Sequence, residues 1–182
     1  MRRRVGLLAV GGVVLAVGAV AALALWDRSD ADERASADAA GDRPAVLDTT
    51  FEHFDGRVVR LADWEGTPMV VNFWASWCPP CVAEMGDAFE PVHAELGADV
   101  AFVGLNLEDD PDRAADVVDV TGVTYDLGRD PAGELFTGFG GFGMPTTIFI
   151  AADGAVVETH TGALSRARLE RLIERSFDIG AS

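Results

Sequence analysis

Met69-Val70-Val71-Asn72-Phe73-Trp74-Ala75-Ser76-Trp77-Cys78-Pro79-Pro80-Cys81 is the stretch from which the rest of the chain can be read. Met69 to Trp74 is a dense apolar run of strand length, the pattern of a central strand buried on both faces. After Cys81 the apolar residues Val82, Met85, Phe89, Val92 and Leu96 fall at spacings of 3, 4, 3 and 4, which is one face of a helix. Gly86 and Pro91 lie within it and predict a kink. Pro79 and Pro80 suit a first helical turn, where the missing N–H groups would have no intrahelical partner. The two cysteines therefore stand where a buried strand passes into a helix.

On the N-terminal side, Val46 to Phe54 and Arg57 to Leu61 flank Asp55-Gly56, a hairpin signal. On the C-terminal side, Val100 to Leu107 reads as a strand, and Asp109-Asp110-Pro111 opens a helix reaching about Val120. An extended piece at Val123 to Leu127 and a helical turn around Pro131 to Phe136 follow. Thr146 to Ala151 and Ala155 to Thr161 then flank Asp153-Gly154 as a second hairpin, and Leu164 to Phe177 closes as a helix. This order gives an α/β domain, a central mixed sheet with helices on both faces and an N-terminal hairpin, over residues 45–182.

Cys78 and Cys81 are the only cysteines. Four explanations compete for them. A structural zinc site needs about four ligands, and His53, His93 and His160 are scattered. Haem attachment needs His after the second cysteine, where Val82 stands. A structural disulfide closing so small a loop removes little unfolded-state entropy. A redox dithiol has a mechanism. At a helix N-terminus, unpaired N–H groups and the positive dipole end favour the Cys78 thiolate. Thiols so placed fall from a pKa of about 8.5 to between roughly 3.5 and 7.5. Cys81, one turn in, then resolves the mixed disulfide formed by Cys78.

Asn72 to Cys81, followed by Glu84-Met85, closely resembles the thioredoxin superfamily, in its TlpA/ResA branch of membrane-tethered, extracytoplasmic thiol oxidoreductases. The resemblance covers about Leu47 to Phe177. Gly143-Met144-Pro145-Thr146-Thr147 is similar to that family's cis-proline loop. It implies a thioredoxin-like fold, a cis Pro145 opposite the dithiol, and a Met144 backbone that pairs with a substrate strand. Trp77, Pro79 and Pro80 would complete the substrate-facing rim, with Trp77 covering the thiol and Trp74 packed inside. Asn72 stands where cytoplasmic thioredoxins carry a buried Asp. Glu84 stands where this branch places an active-site carboxylate, half-buried and with a raised pKa as acid and base; the plain alternative is an exposed helix residue. Gly86 departs from the usual Pro, which shifts the expected kink toward Pro91. Phe139 and Phe142, in a Gly-rich loop before Pro145, either line a groove or fill core.

The resemblance implies protein dithiol and disulfide substrates, apocytochrome c among them, a membrane thiol-transfer protein as recharging partner, and no cofactor or metal. Reduction of exported proteins is the leading direction. Installation of disulfides is the alternative, since direction depends on potential and not on motif. A peroxiredoxin-like peroxidase wants Pro and Thr before its Cys, which Phe73 to Trp77 lacks. A non-enzymatic exported binding module with an idle disulfide is the remaining class.

Val5 to Trp26 is an uncharged run of 22 residues directly after Arg2-Arg3-Arg4. At about 1.5 Å per residue it can cross a core of about 30 Å, with the Arg end cytoplasmic. Residues 1–26 thus read as an anchor, or as a signal peptide cleaved near Ala22-Leu23-Ala24. Residues 27–44 read as an acidic, flexible tether. All 14 basic residues are Arg against 30 acids, a net charge of −16, which disfavours nucleic-acid binding.

Overall fold

The computed structural model describes residues 45–179. The anchor and the tether expected over residues 1–44 lie outside the described residues. Among the described residues no helix is long and apolar enough to cross a membrane.

The chain opens with a 3₁₀ turn, Ala45–Asp48, and the hairpin β1 (Thr50–His53) and β2 (Val58–Arg60). A second 3₁₀ turn, Leu61–Trp64, leads into β3 (Met69–Trp74). Next comes a continuous helical run made of α1 (Pro79–Glu84), a π-turn (Met85–Phe89) and α2 (Glu90–Leu96). Then follow β4 (Ala101–Leu107), α3 (Pro111–Thr121), β5 (Asp126–Asp130) and α4 (Glu134–Gly138). The hairpin β6 (Thr146–Ile150) and β7 (Val156–Thr161), and finally α5 (Arg166–Phe177), complete the domain.

The strands form one mixed sheet in the order β2-β1-β5-β4-β3-β6-β7. β3 runs parallel to β4 and antiparallel to β6, and all six of its residues are buried. Its period of two feeds two separate cores. Val70 and Trp74 join Cys78, Cys81, Met85, Phe89 and the α5 residues Leu169, Leu172 and Ile173 on a first face. Met69, Val71 and Phe73 join Leu47, Leu61, Ile148 and Ile150 on a second face. Each large side chain so buried contributes about 1.5–3 kcal/mol.

Three expectations shift. The first hairpin strand begins at Thr50, not Val46, because Ala45–Asp48 turns to bury Leu47 against Gly154. A Cβ at Gly154, whose φ is +86°, would lie 2.6 Å from the Leu47 side chain, so turn and contact both require glycine there. The strand expected at Val123 to Leu127 is Asp126–Asp130, since pairing with β4 starts at Asp126. Val123 and Tyr125 are left to plug the first core. The kink is a π-turn: the N–H of Glu90 donates to the carbonyl of Met85, five residues back. The extra residue accommodates Pro91, which lacks an N–H and crowds a regular helix.

Candidate active site

Cys78 is the N-cap residue of α1, with extended backbone (φ −109°, ψ 91°). Its carbonyl accepts the N–H of Cys81 at 3.0 Å and that of Val82 at 3.2 Å. Pro79 and Pro80 occupy the first two helical positions. The expectation of unpaired N–H groups beside the Cys78 sulfur is therefore corrected. Two of the first three positions carry no N–H, and the third is already used. Only the dipole end remains to favour a thiolate. Cys78 and Cys81 are joined as a disulfide with Cα atoms 5.3 Å apart. Cys81 is fully buried, and Cys78 keeps a small exposed edge.

Glu84 lies one turn beyond Cys81 and is 3% exposed, deeper than the half-burial expected. Its Oε1 accepts the Asn72 Nδ2–H at 2.9 Å and its Oε2 accepts the Leu164 backbone N–H at 2.8 Å. The same Asn72 amide group donates to Thr147 Oγ1 at 3.1 Å, an arrangement set by the Asn72–Thr147 register of β3 and β6. Asn72 Oδ1 has no hydrogen-bond partner among the described residues. Burial pushes the Glu84 carboxyl up to about 7, and the bonds from Leu164 and Asn72 pull the other way without cancelling it.

The Met144–Pro145 peptide bond is cis. Phe73 pairs with Thr146, which brings Pro145 to the end of the sheet where β3 leads into Cys78. The Pro145 carbonyl accepts the Gly162 N–H at 2.9 Å, and the Thr146 hydroxyl donates to the Gly143 carbonyl at 2.6 Å. Neither backbone group of Met144 is hydrogen-bonded among the described residues, while its side chain packs against both cores. Trp74 is fully buried. Trp77, the residue before Cys78, is 52% exposed, and its indole N–H donates to the Glu108 carbonyl at 3.2 Å. The two loop phenylalanines part. Phe139 packs on Phe73, with ring centres 5.9 Å apart, whereas Phe142 is 84% exposed. Trp77, Phe142, Met144 and Glu108 border a cavity of about 270 Å³. A larger one of about 370 Å³, between Ala45–Thr49, α4 and Val156, touches none of the residues named at the dithiol.

Asp109, read from the sequence only as part of a helix start, is a positioning residue. Its carboxylate accepts the Ser76 N–H and hydroxyl, both at 2.6 Å, the Asn106 amide at 2.9 Å and the Asp110 N–H at 2.9 Å. Partial burial pushes its pKa up, but these bonds outweigh burial and hold it below the usual range. The Ala75–Trp77 approach to Cys78 is pinned by that carboxylate. Thr147 and the Leu164 N–H were missed for the same reason: nothing in the local sequence says that residues 75 and 80 positions away will meet Asn72 and Glu84.

The chain matches the Redoxin family over residues 39–173. It is 36% identical over 123 residues to the thiol-disulfide oxidoreductase ResA of Oceanobacillus iheyensis, covering 65% of this chain and 62% of that protein. It is 33% identical over 142 residues to a thiol:disulfide interchange protein DsbE homolog of Paracoccus denitrificans, covering 76% of this chain and 75% of that one. Among solved structures, a secreted Mycobacterium tuberculosis disulfide oxidoreductase homologous to E. coli DsbE aligns with a TM-score of 0.65 at 25% identity. That alignment covers 71% of this chain and 96% of the other.

Proposed function

We propose that this chain, which belongs to the Redoxin family and is a TlpA/ResA-like member of the thioredoxin superfamily, reduces disulfides in exported proteins, apocytochrome c among them. The Cys78 thiolate attacks one sulfur of the substrate disulfide, a mixed disulfide forms, and the first substrate thiolate leaves. Glu84 takes the Cys81 proton. Cys81 then attacks the Cys78 sulfur, the second substrate thiolate leaves, and the Cys78–Cys81 disulfide remains, two electrons having passed to the substrate. Met144 offers its free backbone groups to the substrate strand, and Trp77, Pro79, Pro80 and Pro145 form the rim. A membrane thiol-transfer protein restores the dithiol.

The observation that carries the direction is the first turn of α1. A strong oxidant owes its high potential to a stabilised reduced form. Here no free N–H reaches the Cys78 sulfur, so the thiolate is less favoured and the dithiol is the better electron donor. Asn72 suits Glu84 in both protonation states. Its Nδ2–H serves the carboxylate, and the amide turned about offers Oδ1 to the carboxylic acid. The named relatives support the chemistry, and the secreted neighbour supports an extracytoplasmic site, with residues 1–26 as anchor.

The test is the equilibrium potential of the Cys78–Cys81 couple, read beside insulin reduction with Cys78→Ser as control. A value near about −270 mV or lower, with insulin reduction lost in the variant, is expected. A value near about −120 mV would reverse the direction. Equal rates with and without Cys78 would mean the dithiol is idle.

A further inference from the structure

The cavity bordered by Trp77, the residue before Cys78, and by Met144, the residue before Pro145, has a composition that the proposed exchange chemistry does not require. Its walls include the rings of Trp77, Phe136 and Phe142 and the side chains of Leu107 and Met144, and no basic residue lines it. At about 270 Å³ it falls just below the roughly 300–1,000 Å³ of a small-molecule pocket and suits one long side chain. The single charge in its lining is Glu108.

Glu108 is held in an unusual way. Its φ is +42°, a left-handed conformation uncommon outside glycine and one that clusters at functional sites. Both backbone groups are engaged, the N–H donating to the Asp130 carbonyl at 3.1 Å and the carbonyl accepting the Trp77 indole at 3.2 Å. The conformation is thus fixed from two sides, and it directs the carboxylate over Gly133, where a Cβ would lie 3.3 Å from Oε1. Among the described residues no hydrogen bond or ion pair is made to that carboxylate, and the residue is exposed. A carboxylate carried on that held backbone, at the mouth of an aromatic cavity, matches a cation on an apolar stem. The rings attract the cation, the walls cover the methylenes, and Glu108 pairs with the charge.

Resting on the oxidoreductase reading above, we propose that this cavity is a specificity subsite for an arginine or lysine side chain of the substrate polypeptide, within two residues of the cysteine under attack, with Glu108 as its selector. A protein whose sequence carries a net charge of −16 would favour basic substrates at long range in any case. The subsite adds a local preference that depends on one residue.

The experiment uses short peptides with one cysteine held as a mixed disulfide with 2-mercaptoethanol, and Arg, Leu, Ala or Glu scanned over the two positions on either side. The ratio of exchange rates is measured at low and high salt with the reduced protein. The Arg peptide is expected to outpace both Leu and Glu peptides by about tenfold at one position at low salt, with the ratio shrinking at high salt. Glu108→Gln should bring that ratio to within about threefold, and Glu108→Lys should invert it. Asp99→Asn, at the opposite end of β4, removes the same charge and should leave the ratio as in the parent protein. Equal Arg and Leu rates would overturn the subsite as a cation site, and so would a preference that survives Glu108→Gln. Failure of every peptide, Ala included, would overturn the oxidoreductase reading and the subsite with it. Fast exchange of the Ala peptide without an Arg preference would overturn the subsite alone.

Discussion

The two faces of the sheet draw on the same strands and solve different problems. On the second face, β3 and β6 contribute Val71, Phe73, Ile148 and Ile150 to an apolar cluster. The buried polar groups on that side are satisfied locally. Thr146 donates to Gly143, and Asp130 accepts the N–H groups of Leu135 and Phe136 at the start of α4. On the first face the same strands place Asn72 and Thr147, and a helix adds Glu84. Asn72 donates to both of the others, 12 and 75 residues away. All four buried polar side-chain atoms without a partner among the described residues, on Asn72, Trp74, His93 and Tyr125, belong to this face or pack against it. Buried polar groups cost free energy unless paired. The first face carries that cost beside its own apolar core, and the second face does not bear it.

The largest effect expected from this contrast is on the second face. Phe73→Ala removes a fully buried ring that meets Phe136 and Phe139, with ring centres 5.3 and 5.9 Å away. It should lower the unfolding free energy by about 3–5 kcal/mol in urea titrations. A loss below about 1 kcal/mol would mean that the ring is not tightly packed there. Exchange per folded molecule should keep its pH profile.

The next effect belongs to the first face and depends on pH. The Glu84 carboxyl titrates near 7 in the folded protein, above its ordinary 4.5. The folded state therefore binds the proton more tightly, and the favourable contribution is complete below about pH 4.5 and lost as pH rises through 7. At about 1.4 kcal/mol per pH unit the loss approaches roughly 3 kcal/mol. Unfolding at pH 4.5 and pH 8 should show this decline in the parent protein and not in Glu84→Gln, whose exchange rate should also lose its inflection near neutrality. Parallel stability profiles for the two proteins would remove Glu84 as the titrating group.

The smallest effect compares neighbouring threonines that point to opposite faces. Thr147→Val takes one of two acceptors from the Asn72 amide, and Thr146→Val takes the donor from Gly143. Each should cost about 1 kcal/mol. Only Thr147→Val should move the pH at which exchange is half-maximal. An equal shift in both would erase the distinction between the faces.

Much of this was legible in the chain itself. Met69 to Trp74 declared a strand buried on both sides, and two Asp-Gly pairs declared hairpins, because periodicity and turn chemistry act over a few residues. The prolines after Cys78 placed the helix start for the same reason. The π-turn was not legible. Gly86 and Pro91 announced a disturbance without saying whether the helix would bend or take in an extra residue. Phe139 and Phe142 were equally opaque: two like residues three positions apart, one half-buried against the core and one in solvent.

By itself, then, the sequence determined the order of strands and helices, the position of the dithiol at a strand-to-helix junction, and the candidacy of Glu84 and Pro145. Each depends on local spacing or on a motif. Tertiary structure decided how deeply Glu84 is buried, that Asn72, Thr147 and the Leu164 N–H surround it, that Asp109 pins the approach to Cys78, and that Glu108 faces an aromatic cavity. Those are encounters between residues far apart in the chain. A carboxyl's pKa is set by the groups and the dielectric around it, which exist only once the sheet has brought them together.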